Sequence, residues 1–127
     1  AMDWQTLVGR RAKKDPIGKG GWHLFLTAWN GHDIWNPIAN PTMDTRGEAS
    51  GWFGWGKDDK LVELRNQFMR ATDDAQKKKL AEAIQVRAFE VATHVPLGEY
   101  AQPMAARKNV SGFFITNGNL YWNLKKN

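Results

Sequence analysis

An α/β fold is predicted for this chain by three observations. Residues 22–29 are apolar on both faces apart from His23 and Thr27, the pattern of a strand covered by helices rather than one half in water. Two long runs, 58–71 and 73–91, repeat their apolar residues at helical spacing. After His94-Val-Pro96 the pattern turns extended to the end of the chain. Together they describe one domain over residues 1–127: a short mixed sheet, an αα-hairpin and C-terminal strands.

Each element follows from local chemistry. Residues 5–14 read as a short helix started by Asp3 or Thr6 and stopped before Asp15-Pro16, because a residue before proline is pushed out of the helical region. A glycine-rich connection over 17–21 leads to the strand at 22–29. Residues 40–56 are loop-rich, with one proline and four glycines, yet they hold Trp52, Phe53 and Trp55. Only burial of those rings can hold such a segment, so an ordered loop packed on the domain is expected.

In the 58–71 helix, Asp58 or Asp59 serves as cap, Leu61, Leu64 and Phe68 form one stripe, and Lys60, Glu63, Arg65 and Arg70 point outward. In the 73–91 helix, Asp73 and Gln76 make a capping-box pattern, and Leu80, Ile84, Ala88 and Val91 recur on one face. With Thr72 alone between them, the two helices form a tight hairpin. Extended segments at 95–106, 110–115 and 120–124 follow. Asn117-Gly118-Asn119 divides the last two, since Asn and Gly accept positive φ in hairpin turns.

Composition narrows the function classes. The 127 residues are 42% hydrophobic and 24% charged, an ordinary globular balance, and no apolar run nears the roughly 20 residues of a membrane-spanning helix. Absence of cysteine excludes a disulfide scaffold, a thiolate metal site and a cysteine nucleophile. The net charge of +5 raises the question of nucleic acid. The positive residues are scattered, however, as Arg10-Arg11, Lys13-Lys14, Lys77-Lys78-Lys79 and Lys125-Lys126, with acids interleaved on the long helices. Solvated helix faces, and no nucleic-acid partner, are expected.

The leading site candidate is the polar turn that ends the apolar run: Trp29-Asn30-Gly-His32-Asp33-Ile-Trp35-Asn-Pro37. In open α/β sheets, ligands bind in the crevice beyond the carboxyl ends of strands. Trp29 reads equally as a core indole or a cleft wall, and indoles suit a wall because they offer rigid apolar area and a donor. Trp35 reads as exposed to a cleft or packed in the loop, whereas Trp52 and Trp55 read as loop anchors. His32 and Asp33 read as ligand contacts or as turn stabilisers. Histidines 23, 32 and 94 lack metal-ligand spacing, so no metal or cofactor is expected. With no phosphate loop, no Gly-x-Ser-x-Gly and no nucleophile beside a base, an enzyme is not expected.

Several phrases, in order, resemble a known family: Leu26-Thr-Ala-Trp29-Asn-Gly before the Pro37 loop, Ala71-Thr-Asp-Asp74 before the lysine-rich helix, His94-Val-Pro-Leu97, and Lys108-Asn-Val-Ser-Gly112. They are similar to the C-terminal segment of periplasmic solute-binding proteins of ABC transporters, extracellular solute-binding protein family 5, the dipeptide, oligopeptide and nickel type. The resemblance covers essentially 2–127. It implies part of a two-lobed clamshell that captures a small or peptide-like solute between lobes and delivers it to an inner-membrane ABC permease. It also implies a periplasmic location with the signal peptide outside these residues, and a missing N-terminal lobe. The family's last strands cross to the other lobe, so 113–124 would lack a partner here, and an unpaired edge invites dimerisation or strand exchange.

Peptide-binding members carry a carboxylate three residues after the counterpart of Trp29, where it holds the ligand's amine. Here that place is His32, Asp33 follows, and the loop is one residue longer before Pro37. Either Asp33 takes over the amine or the ligand is not an α-amine. Tyr100 resembles a position whose aromatic ring faces the cleft in some members. The other class considered is a small stand-alone interaction domain that binds a protein or polyanion through its aromatic loops and basic surface.

Overall fold

A computed structural model describes residues 2–114, 116 and 120–127. The chain divides into two compact units, Ala1–Val95 and Pro96–Asn127. The order of elements in the first is α1 (Trp4–Arg11), α2 (Gly31–Ile34), α3 (Asp59–Arg70) and α4 (Asp74–Val91), and the second holds β1 (Val110–Ser111) and β2 (Lys125–Lys126). The described residues are thus mixed α and β.

Helix α1 starts at the predicted cap: Asp3 accepts from the Thr6 amide at 3.0 Å and from its hydroxyl at 2.6 Å. It stops three residues short of the prediction. The indole of Trp22 donates to the Arg11 carbonyl at 3.0 Å and so occupies an acceptor that the next helical turn would need. The chain folds back through a turn in which the Gly21 amide donates to the Pro16 carbonyl. A Cβ at position 21 would sit 1.8 Å from the Asp15 carbonyl oxygen, so only glycine fits there.

The predicted strand over 22–29 is overturned. Among the described residues no other strand pairs with it, and Leu24 and Leu26 are 76% and 63% exposed. Trp22 and Phe25 instead turn inward, edge to face at 4.9 Å, with Trp22 also against Trp55. A strand needs a hydrogen-bonding neighbour as well as an apolar sequence. The two-faced burial implied by the sequence is not supplied by these residues.

The loop prediction over 40–56 holds. Arg46 and Lys57 form an antiparallel bridge, the Gly47 amide donates to Gly56, and the Trp52 amide donates to Asp44. The Thr45 hydroxyl donates to the Asp58 carbonyl at 3.1 Å and closes the neck.

Asp58 caps α3 by accepting from the Leu61 amide at 2.7 Å, and Asp73 caps α4 through the Gln76 amide at 2.8 Å. Leu61, Ile84 and Ala88 form the buried core, with Met43, Leu64, Phe68 and Val91 packed on it. Asp58 also receives a two-pronged ion pair from Arg87, 3.1 Å at Nε and 2.6 Å at Nη2, which ties the start of α3 to the end of α4. Helix α4 ends on Ala92 in the left-handed region, φ 50°.

In the second unit β1 and β2 pair antiparallel, Val110 opposite Lys126 and Ser111 opposite Lys125. Of the predicted 110–115 strand only Val110–Ser111 pairs; the predicted 120–124 strand is overturned, since β2 lies just beyond it, and the 95–106 segment forms no strand. Pro96 and Pro103 contribute no amide donor, and Gly98 takes φ 131°, so a ladder cannot run through them. Asn117-Gly118-Asn119 lies outside the described residues.

Candidate functional site

The polar turn forms a single short helix, α2, rather than the tip of a strand. Asn30 precedes it in extended conformation, the Asp33 amide donates to the Asn30 carbonyl at 2.9 Å, and the Asn30 side-chain amide donates to the Asp33 carboxylate at 3.1 Å. This local ring of bonds is what asparagine and aspartate at i and i+3 form readily. Asn30, His32, Asp33 and Trp35 are thereby collected on one turn, all exposed, while Ile34 faces inward.

The rings around it are ordered by contact. His32 and Trp35 lie 4.9 Å apart at 60°, and Trp35 is 78% exposed. Trp29 lies against Trp52 at 5.6 Å and keeps 41% of its surface in solvent. Trp29 is therefore an edge indole with one side supported, not a core residue. An exposed carboxylate with indoles four residues before it and two after it in the chain can accept a cationic or hydrogen-bonding group. Tyr100 belongs to the second unit, on its exposed 96–106 stretch.

What seats the turn was not legible in advance. Arg65, expected to point outward, turns inward with 13% of its side chain exposed. It donates to the Pro37 carbonyl at 3.2 Å and the Ile38 carbonyl at 3.0 Å, and it faces Asp44 at 3.7 Å. Carbonyls in a proline-bearing loop have no ladder of their own, and a guanidinium supplies donors in a fixed fork. The loop's lack of donors was the signal that could have pointed to it. Burial lowers the pKa of Arg65 somewhat, partly offset by Asp44.

Asn40, also buried, caps the next turn by accepting from the Thr42 amide and hydroxyl. The Thr42 hydroxyl lies 3.1 Å from His94 Nδ1, and the Thr93 hydroxyl lies 2.9 Å from the same nitrogen. Burial lowers the His94 pKa below 6.5, which favours neutral imidazole. The loop after α2 is thus tied to both helices, to α3 by Arg65 and to the residue cluster after α4 by His94.

Nearby carboxylates are committed to structure. The bond from Arg46 holds Asp44 below the usual carboxylate range, and the bond from Arg87 does the same for Asp58. Between them a shallow groove of about 320 Å³ is lined by Thr42, Thr45, Trp52, Phe53, Lys57 and Thr93, among others. It touches the α2 turn only indirectly, through Trp52. Among the described residues no cluster of three or more His, Asp or Glu could hold a metal. No helix of the described residues is long and apolar enough to cross a membrane.

Comparison with known proteins now decides the relationship. Over 124 residues, 98% of its length, the chain is 32% identical to a protein of Sinorhizobium fredii (strain NBRC 101917 / NGR234) named "probable peptide ABC transporter periplasmic-binding protein". This chain is related to a periplasmic-binding protein. The resemblance read from the sequence is borne out in that respect. The chain spans 23% of the length of that relative, which is consistent with a fragment of such a protein. No family model matches the chain.

Proposed function

We propose that this chain is a C-terminal-lobe segment of an extracytoplasmic solute-binding protein, the component of an ABC importer that captures a peptide-like solute between two lobes. The single observation that carries the reading is the 32% identity sustained across nearly the whole chain to a periplasmic-binding protein. The exposed apolar side chains of Leu24 and Leu26 support it, since side chains of that size left in solvent suit a surface covered by further chain. On this reading the protein works in the periplasm, with an inner-membrane permease as its partner. It acts by reversible binding rather than catalysis. Differential affinity of the solute for the closed form shifts the population toward closure.

Within that reading the α2 turn contributes to the cleft, with Trp29 and Trp35 as apolar walls, Asp33 as acceptor for a cationic group, and Asn30 and His32 as polar contacts. Tyr100 is carried as a further aromatic ligand contact on the family resemblance alone. The test is calorimetry on the full-length binding protein with a tripeptide panel. Asp33→Ala is expected to weaken a bound peptide by more than about tenfold, the loss typical of a charge-assisted hydrogen bond. Unchanged affinity would remove Asp33 from the site.

A further inference from the structure

Arg11 stands at the centre of an aromatic cluster built by three separate stretches of chain. Its guanidinium carbon lies 4.6 Å from the ring centre of Phe53, 5.4 Å from Trp52, 5.5 Å from Trp4 and 5.9 Å from Phe25. Its Nε is buried without a hydrogen-bond partner, and no carboxylate pairs with it among the described residues. Its carbonyl is held by the Trp22 indole. The backbone is thus held by a hydrogen bond, and the guanidinium is surrounded by rings.

Arg11 is half-buried, and its Nε is taken out of water without an acceptor, a desolvation cost that a methionine in the same place would not carry. What the guanidinium adds is a planar, charged head attracted to ring faces, which favours particular ring orientations where an aliphatic chain would accept many. Two of the four rings lead toward the α2 turn. Trp52 packs on Phe53 at 4.7 Å and carries Trp29 at 5.6 Å.

We propose that Arg11 is a positioning residue for the ligand-facing indole: through its cation–π contact it orients Trp52, and Trp52 in turn sets the face that Trp29 presents beside Asn30 and Asp33. The proposal rests on the reading of Trp29 as a cleft wall for its functional meaning, but the geometry it predicts can be tested without any ligand. Arg11 touches no solute in this scheme and acts only through the two indoles.

The experiment follows the exciton signal of the Trp29–Trp52 pair in circular dichroism of the full chain, isolated as the difference between each background and the same background carrying Trp29→Phe. Arg11→Met keeps the volume and removes the charge. It is expected to fold cooperatively and to reduce the pair signal by about twofold or more, because the rings lose their orienting partner. An undiminished pair signal in folded Arg11→Met overturns the proposal and leaves Arg11 as packing. Should Arg11→Met not fold, Arg11→Lys carries the test, since it retains the cation and loses the plane. A weakened pair signal there supports orientation by the planar head, and an unchanged one overturns it. Loss of the cleft reading would appear separately, as unaltered peptide affinity in Trp29→Ala of the full-length protein, with the Arg11 effect on the indole pair intact.

Discussion

The helical hairpin over 59–91 and the apolar segment over 22–29 are both rich in large hydrophobic residues, yet one is folded on itself and the other leaves Leu24 and Leu26 in solvent. In the hairpin, the core cluster around Leu61 is drawn from the same stretch of chain and the Met43 turn, and Leu61 is completely buried. Leu24 and Leu26 stay largely in solvent. Apolar sequence states a demand for burial, and the hairpin meets it locally, whereas an extended segment can meet it only through another strand or layer. The contrast between the two regions is a difference in where the burial partner lies along the chain.

The comparison can be broken most directly at the core. Leu61→Ala should lose about 3 kcal/mol, the cost of removing a fully buried leucine and leaving a cavity, measured by urea unfolding. A loss under 1 kcal/mol would show that the hairpin is not the stabilising centre. Asp58→Ala is next, at about 1–2 kcal/mol, most of it the lost cap of α3, because the Arg87 pair is partly screened by solvent. Asp58→Asn keeps the cap and removes the charge, so it should cost less.

Acid sharpens the same point. The folded pKa of Asp58 is depressed below 3.8, so its contribution is fully present above that value and is lost as pH falls through the folded value, where the unfolded chain binds the extra proton. His94 acts in a higher window. Its folded pKa lies below 6.5, so stability held above 6.5 declines as pH falls toward the folded value and the buried ring must charge. A thermal melt series should therefore show two separate declines, with His94→Gln removing the upper one and Asp58→Asn reducing the lower. A single decline unaffected by either substitution would contradict both assignments.

Smaller effects test the helix end and the open segment. Ala92 holds φ 50° at the end of α4, a conformation that costs an L-residue about 1 kcal/mol, so Ala92→Gly should raise stability by roughly 0.5–1 kcal/mol. Leu24→Ser should change the stability of this chain by less than about 0.5 kcal/mol, as exposed substitutions do. If it cost as much as a core leucine, the segment would be buried and the distinction between the two regions would collapse.

Legibility in the sequence followed the range of the interaction. Asp3, Asp58 and Asp73 were read as helix starts, or among the candidates for them, and they cap the helices because a cap reaches only two or three residues. The ordered aromatic loop at 40–56 was also legible, since Trp52, Phe53 and Trp55 leave few alternatives to burial. The polar turn was legible as a cluster, but it forms a helical turn closed by Asn30 and Asp33 rather than the lip of a strand. Arg65 reads as outward-pointing because its position on the helix gives no hint that carbonyls 28 and 27 residues earlier need its donors.

The amino-acid order by itself determined helices α1, α3 and α4, their caps and the apolar stripe that closes the hairpin, because those depend on neighbours within one or two turns. Tertiary structure alone decided that Arg11 would gather four rings, that Arg65 would turn inward to hold the Pro37 loop, and that residues 22–29 would run extended without a sheet. Those outcomes depend on which distant groups arrive alongside, and a periodic pattern records the need for a neighbour without saying whether one is there.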